Sequence, residues 1–508
     1  MKTPSEELFQ LIKSLNTQEK VHFKLYALRR KADSNYIKLF DAIDKQKVYD
    51  EAQIKKKFKN ESFIKNLDKV KTYVNEAILK SLQEYYATDS IDAILGNTIQ
   101  QIQILVNKRL VGQAEKLIEK SQKLAVEHEK YTFLMMVLWW KFRLMLYGHN
   151  MEELNKYVQE GHLQELQYID KYKNMIEYHQ FSAYLTSIVS SADKYDKKVK
   201  AELQNMLRQP LLKDPGQAHS SVAKGNYHQV LFIIYASLMD WENAYFHINK
   251  VIGLLEQNPI LLKGERAEHY LMQINNSLSV FAPLKKMQEL NSNFNKAKKF
   301  IESLPKKLHS ESIYNCYIYV TNNYINANLS MFNMEEVLQQ SIELEPLIEK
   351  YANKNSYLVF YGNLSFIYFF LEDYHKALQY LNKILTLDKA YTFARPDIIK
   401  EMEMLYLIVH YELGNEDILP GLYVSTSRYL KKKGQLGPVE KLILDFFGKT
   451  ILKADTREEK INAFASLKKE LKNHTNKLFE FFDIISWVES KIRNIPLIEI
   501  IKEKRKQD

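Results

Sequence analysis

The amino-acid sequence predicts an all-α fold built from stacked helical hairpins, and three observations lead to this prediction. Large apolar residues recur three and four positions apart along most of the chain, which is the spacing of one helix face. A pattern of two such helices joined by a very short turn returns at several places. Only 14 of the 508 residues are Gly and 11 are Pro. This scarcity disfavours glycine-rich phosphate loops and turn-rich β folds, and it is typical of long helices with short connections.

Five segments follow one another in this prediction. Residues 1–88 are predicted to form shorter amphipathic helices without a repeat. They would form an N-terminal helical module or a cap. A first group of hairpins covers 91–208. Residues 209–226 combine Pro, Gly and polar residues without helical periodicity and predict an irregular break. A helical-repeat array covers 227–475, and 476–508 carries an apolar stripe and a charged end, as expected of a C-terminal capping helix that keeps a solenoid soluble.

The hairpin pattern is clearest over residues 361–381. A first helix presents large apolar residues on one face, Asp373 caps the second helix after a short turn, and the small Ala377 lets the two helices approach closely. The same arrangement returns at 228–248, around Asp240. Each hairpin leaves an apolar face that it cannot cover alone, so neighbours are expected to stack. The predicted hairpins lie near 91–126, 130–168, 171–208, 227–256, 264–304, 309–351, 355–388, 394–433 and 436–475.

These hairpins resemble the tetratricopeptide (TPR) repeat family, with a good match over 228–259 and 361–389 and a partial one over 95–126 and 313–351. The resemblance implies a right-handed α-solenoid that binds peptides on its concave surface, without cofactor or catalysis. The whole chain is also similar to a group of uncharacterised bacterial helical-repeat proteins that end in a Trp-x-x-Ser-Lys segment, here Trp487 to Lys491.

A polar helix face supplies the candidate binding residues. Tyr319, Asn322 and Asn326 are three and four positions apart and share one face. Aligned by the TPR pattern, they and Asn323 face the concave groove, with Asn363 of the next hairpin nearby. An amide offers both a donor and an acceptor, so these residues form a predicted peptide-binding site. The alternative is that Asn is abundant here and simply occupies a solvated face.

The resemblance does not extend to the capture of C-terminal carboxylates. TPR proteins that bind a peptide's terminal carboxylate usually have Lys at the position where this chain has Asn322. The expected ligand is therefore a protein or peptide held through its main chain, and its identity is open.

A basic cluster near the N-terminus favours a second hypothesis. Lys55, Lys56 and Lys57 end one predicted helix, and Lys69 and Lys71 lie in the next. Such a pair could form a helix-turn-helix that binds DNA, in a transcriptional regulator whose repeats sense a peptide. The net charge of +10 permits nucleic-acid binding without requiring it. The turn lacks a Gly and the second helix lacks an Arg, so a solvated lysine face is the preferred interpretation.

Signals of chemistry are sparse. Cys316 is the single cysteine, which excludes an intramolecular disulfide and predicts a buried, unreactive thiol in a reducing cytoplasm. There is no His-Glu-x-x-His pair, and no metal, cofactor or catalytic residue is expected. The longest apolar run, Phe133 to Trp140, is too short to span a bilayer, so no membrane insertion is expected. Trp139 and Trp140 cannot both face one helix core, which predicts that one of them is exposed.

Overall fold

The computed structural model describes residues 6–29, 34–148, 151–191, 197–257, 262, 266–305, 308–331, 333–387, 395–473 and 483–505. Every regular element within these ranges is helical, so the predicted all-α class is confirmed. None of the described helices has the length and apolar character needed to cross a membrane. The chain divides into two compact units, one of Met1–Glu177 with His219–Val222, the other of Tyr178–Ala218 with Ala223–Asp508.

The first unit begins with short helices around their own apolar core. Phe23, Phe40, Val74 and Ile78 are fully buried in that core. The helices of the unit are α1 (Glu7–Ser14), α2 (Thr17–Arg29), α3 (Ser34–Asp44), α4 (Glu51–Lys57), a 3-10 turn (Ser62–Asn66), α5 (Leu67–Tyr85), α6 (Ile91–Asn107), α7 (Val111–Glu127), α8 (Tyr131–Gly148), α9 (Met151–Lys156), a π turn (Tyr157–Gly161) and the first part of α10 (His162–Ser191).

Helices α6 and α7 form the first predicted hairpin. The hydroxyl of Ser90 caps α6 by accepting the amide of Ala93 at 3.0 Å, and Ala114 is fully buried in α7. In α8, Trp140 is 9% exposed and Trp139 is 57% exposed, so the expected division between the two rings is confirmed.

The predicted junction between the hairpins 130–168 and 171–208 is wrong. A single helix, α10, runs from His162 to Ser191 through that point. Its thirty residues contain neither Gly nor Pro, so nothing in the local sequence ends the helix there.

The second unit contains the remaining helices. They are the rest of α10, α11 (Lys197–Met206), α12 (Pro210–Lys213), a 3-10 turn (Pro215–Gln217), α13 (Ser221–Ser237, whose first two residues belong to the first unit), α14 (Trp241–Glu256), α15 (Ala267–Phe281), α16 (Met287–Ser303), α17 (Glu311–Ser330), α18 (Met334–Tyr351), α19 (Lys354–Phe370), α20 (Tyr374–Leu385), α21 (Pro396–Glu412), α22 (Leu419–Lys432), α23 (Pro438–Asp445), a π turn (Phe446–Thr450), a 3-10 turn (Ile451–Lys453), α24 (Arg457–Lys472), α25 (Ile484–Arg493) and α26 (Leu497–Arg505). The segment 209–226, predicted to be irregular, thus holds two short helical turns and the start of α13.

Three hairpin turns of this unit share one geometry. Asp240 and Asp373 cap α14 and α20 by accepting the backbone amide three residues on, both at 3.2 Å. The residue before each cap, Met239 or Glu372, has a left-handed backbone with φ near 60°. Lys285 repeats this conformation between α15 and α16. A single left-handed residue therefore reverses the chain in each of these hairpins.

The packing between helices repeats as well. Helices α15, α17, α19 and α21 each pack against their own second helix, α16, α18, α20 and α22. The first three also contact the first helix of the following hairpin, so that α15 meets α17, α17 meets α19, and α19 meets α21. One continuous apolar core runs through all of them. This arrangement is compatible with a helical-repeat fold.

The C-terminal helices form hydrogen bonds with helices that are far away in the sequence. Both oxygens of the Glu412 carboxylate are used, because Trp487 Nε1 donates to one at 2.6 Å and Lys491 Nζ to the other at 2.5 Å. The backbone amide of Leu497 donates to Glu372 at 3.1 Å. The Trp-x-x-Ser-Lys segment therefore attaches α25 to the end of α21. Residues 476–482 and 506–508 of the predicted capping helix (476–508) lie outside the described residues.

Candidate functional site

A cavity of about 280 Å³ lies among α17, α19 and α21 of the second unit. All five residues predicted from the sequence to bind a peptide line this cavity: Tyr319, Asn322, Asn323, Asn326 and Asn363. The first four come from α17 and the last from α19, two helices whose faces meet because consecutive first helices pack together. The structure thus brings the predicted residues to one place.

These asparagines do not form a solvated face. Asn322 is 3% exposed and Asn363 is 5% exposed, while Asn323 and Asn326 are half-buried. A buried amide needs hydrogen-bond partners to offset its loss of water. The partners of each amide therefore decide what the cavity can bind.

Two of the predicted residues hold the start of α19. Asn322 Nδ2 donates to the backbone carbonyl of Ser356 at 3.1 Å. Tyr319 accepts from Asn353 Nδ2 at 2.7 Å, and Asn353 in turn caps α19 by accepting the amide of Ser356 at 3.0 Å. Asn322 and Tyr319 therefore have a structural role between hairpins, which spacing along α17 does not reveal.

A third predicted residue connects the preceding hairpin. Asn323 Nδ2 donates to Asn275 Oδ1, on α15, at 2.8 Å. The amide ladder thus continues from α15 through α17 toward α19, across three consecutive first helices.

Four buried amide or hydroxyl atoms at the cavity have no hydrogen-bond partner within the protein. They are Asn322 Oδ1, Asn326 Oδ1, Asn363 Nδ2 and Ser356 Oγ, and all four side chains line the cavity. A buried polar atom left without a partner costs about 1–3 kcal/mol. Their concentration at one cavity indicates a place where the protein can supply hydrogen bonds to an uncharged polar ligand.

Gly362 contributes space rather than a turn. It stands in the middle of α19 and lines the cavity. A Cβ atom at this position would lie 3.6 Å from Ile398 Cγ2 and 3.8 Å from Met402 Cε, which are ordinary van der Waals distances. Helix packing would therefore tolerate Ala, although Gly costs roughly 1 kcal/mol relative to Ala inside a helix. What the absent methyl group provides is room in the cavity, and sequence spacing gave no signal of this.

One basic and one acidic side chain also line the cavity. Arg395 forms a paired contact with Asp397, from Nε at 3.0 Å and 3.1 Å to the two carboxylate oxygens. Burial raises the pKa of Asp397, but the hydrogen bonds from Arg395 outweigh it and hold that pKa below its ordinary value. Glu401 is buried at the other side of the lining. The lining thus contains charges of both signs, and the guanidinium of Arg395 is already engaged by Asp397.

The basic cluster near the N-terminus is not one exposed row. Lys71 is 7% exposed, with Nζ 3.0 Å from Glu51 Oε2 and above the ring of Tyr49. Lys55 pairs with the other oxygen of Glu51 at 2.8 Å. Burial raises the pKa of Glu51, but hydrogen bonds from Lys55, Lys71 and Tyr49 lower it to about 2. The Lys71 ammonium group is thus engaged by a carboxylate of the protein itself.

The other basic residues of that prediction, Lys56, Lys57 and Lys69, are exposed.

Cys316 is buried, and burial raises the pKa of its thiol to about 11, as expected for an unreactive cysteine. Within the described part of the chain, no group of three or more His, Cys, Asp or Glu side chains could hold a metal ion.

Comparison of the sequence with protein-family models and with curated proteins finds no match. The compatibility of the chain with a helical-repeat fold therefore rests on its own hairpins and their packing.

Proposed function

We propose that the protein is a non-enzymatic scaffold or adaptor that binds an extended peptide segment of a partner protein at the cavity of α17, α19 and α21. The observation that carries the proposal is the convergence of the five predicted residues on one cavity, where amide and hydroxyl atoms stay buried without partners in the protein. Uncharged donors and acceptors of this kind match the polar groups of a peptide.

The dimensions of the cavity support a peptide rather than a folded element as the ligand. Its volume of about 280 Å³ equals the space of roughly nine water molecules at ~30 Å³ each. That is room for one or two amino-acid residues. The amide ladder from α15 to α19 extends the polar surface beyond the cavity, so neighbouring residues of an extended chain would find partners along it.

The proposal includes the architecture that the TPR resemblance implies, a right-handed α-solenoid with the cavity on its concave side. Its support is the repeated packing of first helices, the shared turn geometry and the fully buried Ala244 and Ala377 in second helices. It also includes a cytoplasmic location, for which the single buried Cys316 is the support. The DNA-binding alternative has less support, because the ammonium group of Lys71 is engaged by Glu51.

An affinity pulldown with the full-length chain tests this function. The bait proteins are the wild type, Gly362→Ala, Gly362→Leu and the control Gly253→Ala, and every lysate is treated with nuclease. Gly253 lies in α14 with nothing within 4 Å of a Cβ there, so its change leaves the cavity untouched. A partner retained by Gly253→Ala, reduced by Gly362→Ala and lost with Gly362→Leu supports the proposal. Equal capture by all four baits contradicts it.

A further inference from the structure

The polar atoms of the cavity restrict the ligand further, in a step that rests on the proposed peptide-binding function. We infer that the cavity takes the primary carboxamide side chain of a glutamine in the bound peptide, with asparagine as the shorter homologue. The proposal thus concerns a specificity pocket and not only a surface for the peptide main chain.

The orientation of Asn322 is fixed by its own hydrogen bond. The carbonyl of Ser356 only accepts, so the nitrogen of the Asn322 amide must face it, and the oxygen remains as an acceptor. Asn326 offers a second acceptor oxygen, and Asn363 offers a donor nitrogen. The Ser356 hydroxyl serves either way. Among its uncharged side chains, as they are oriented in the structure, the cavity therefore offers two acceptors, one donor and one adaptable group.

A primary carboxamide is the complement of this set. It carries two N–H donors and one carbonyl acceptor, which match the two oxygens and the one nitrogen. A main-chain amide has a single N–H and would leave one of the two acceptors, Asn322 or Asn326, unpaired. The count thus separates a side-chain amide from the backbone.

Charged side chains fit less well. A carboxylate only accepts, so it would meet the oxygens of Asn322 and Asn326 and the buried Glu401 without a donor of its own. An ammonium group only donates, so it would leave the nitrogen of Asn363 without an acceptor. Either charge would also lose its water in a cavity whose own Arg395 and Glu401 have opposite signs.

The walls of the cavity fit an aliphatic stem. Val359, Phe366, Ile398 and Met402 line it beside the amides, and Gly362 leaves the space that a methyl group would otherwise take. The two methylene groups of glutamine would contact these walls while its amide reaches the polar atoms. The same walls offer nothing to a shorter polar side chain such as serine.

The test is a random-peptide display selection on the full-length protein, with counter-selection on Gly362→Leu. The best peptide is then resynthesised with the selected residue as Gln, Glu, Lys and Met, and dissociation constants are measured. The free compound N-acetyl-L-glutamine N-methylamide is included as a competitor. Asn363→Asp replaces the donor by an acceptor with little change in shape, and Asn205→Asp makes the same change at an exposed residue of α11, which does not line the cavity.

We expect Gln, and less strongly Asn, to be enriched at one peptide position. Replacing it by Glu, Lys or Met should weaken binding by about tenfold or more, because polar atoms would remain unpaired. Asn363→Asp should weaken binding of the Gln peptide similarly, and Asn205→Asp should change its affinity by less than about threefold. Circular dichroism and thermal unfolding check that each variant is folded. A second counter-selection uses Gly362→Ala, which reduces the space in the cavity by less than Gly362→Leu does.

The other outcomes separate this inference from the proposed function. Peptides that depend on the cavity but carry an apolar or charged residue there would overturn the carboxamide assignment and leave peptide binding intact. A free competitor that binds as tightly as the peptide would assign the cavity to a small molecule and overturn the adaptor function. A selection that yields no peptide able to distinguish the wild type from Gly362→Leu would overturn both.

Discussion

Replacing Gly362 by Ala should make the protein more stable while making the cavity smaller. The perturbation is one methyl group in the middle of α19. Removing the flexibility of Gly inside a helix contributes about 1 kcal/mol to the free energy of unfolding. The new Cβ would lie 3.6 Å from Ile398 and 3.8 Å from Met402, so it makes contacts without overlap. Partial burial of the methyl group adds a fraction of the ~0.8 kcal/mol expected for a fully buried one.

The total is therefore a gain of about 1–1.5 kcal/mol. Urea unfolding followed by circular dichroism measures it as a higher midpoint, and scanning calorimetry should show a rise of about 2 °C. Gly253→Ala is the matched control, since this glycine lies in a helix with open space around it and should give about 1 kcal/mol. Binding of a cavity-dependent peptide should weaken in Gly362→Ala and stay unchanged in Gly253→Ala.

A loss of stability in Gly362→Ala would refute the reasoning. It would mean that the packing of α19 against α21 requires the glycine and that the space is a by-product of the fold. A gain in stability with unchanged peptide affinity would separate the glycine from binding, and so contradict its assigned role in the cavity.

Three further predictions concern the ion pair of Glu51 with Lys71, the neighbouring histidines His228 and His247, and the Glu412 carboxylate. Glu51→Gln should lower the free energy of unfolding by about 3 kcal/mol, because it leaves the buried Lys71 ammonium without its carboxylate; urea unfolding measures the loss. Burial lowers the pKa values of His228 and His247 to about 4, so the unfolded chain binds more protons between pH 6.5 and 4, and stability should fall as the pH falls through that window. Glu412→Gln should cost about 2 kcal/mol and increase hydrogen exchange in α25, since its carboxylate accepts from two C-terminal side chains.

Each of these predictions has a control. Glu61→Gln removes the exposed pair with Lys38 and should cost less than about 1 kcal/mol; an equal loss in Glu51→Gln would contradict the buried pair. The double variant His228→Asn/His247→Asn should flatten the pH dependence relative to the wild type, and an unchanged slope would assign it to other groups. Glu416→Gln, which removes an exposed pair with Lys460, should leave exchange in α25 unchanged.

Much of the fold follows from helical spacing and caps, because both are local. Asp240 and Asp373 cap helices where the sequence predicts them. The turns themselves were harder to predict, since residues such as Met239 and Glu372 adopt a left-handed backbone without being Gly. Such conformations are imposed by the packing of the two helices and have no mark in the sequence. The junction predicted inside α10 failed for the opposite reason, since a change of apolar pattern alone does not end a helix.

The residues of the candidate site could be predicted from the sequence, but their hydrogen-bond partners and the space between them could not. Spacing along α17 brought together Tyr319, Asn322 and Asn326, and the alignment with the next hairpin added Asn363. The bond from Asn322 to Ser356 joins residues 34 positions apart, and the cavity role of Gly362 depends on side chains from α21. Neither feature can be predicted from the sequence, because both arise from contacts between hairpins.

Hydrogen exchange on the full-length protein, with and without a cavity-dependent peptide, tests the central claim most directly. The account predicts new protection concentrated in Glu311–Ser330, Lys354–Phe370 and Pro396–Glu412, the three helices that line the cavity. The protection should disappear in Gly362→Leu and persist in Gly253→Ala. Peptide-induced protection confined to other helices, or unaffected by Gly362→Leu, would contradict the account.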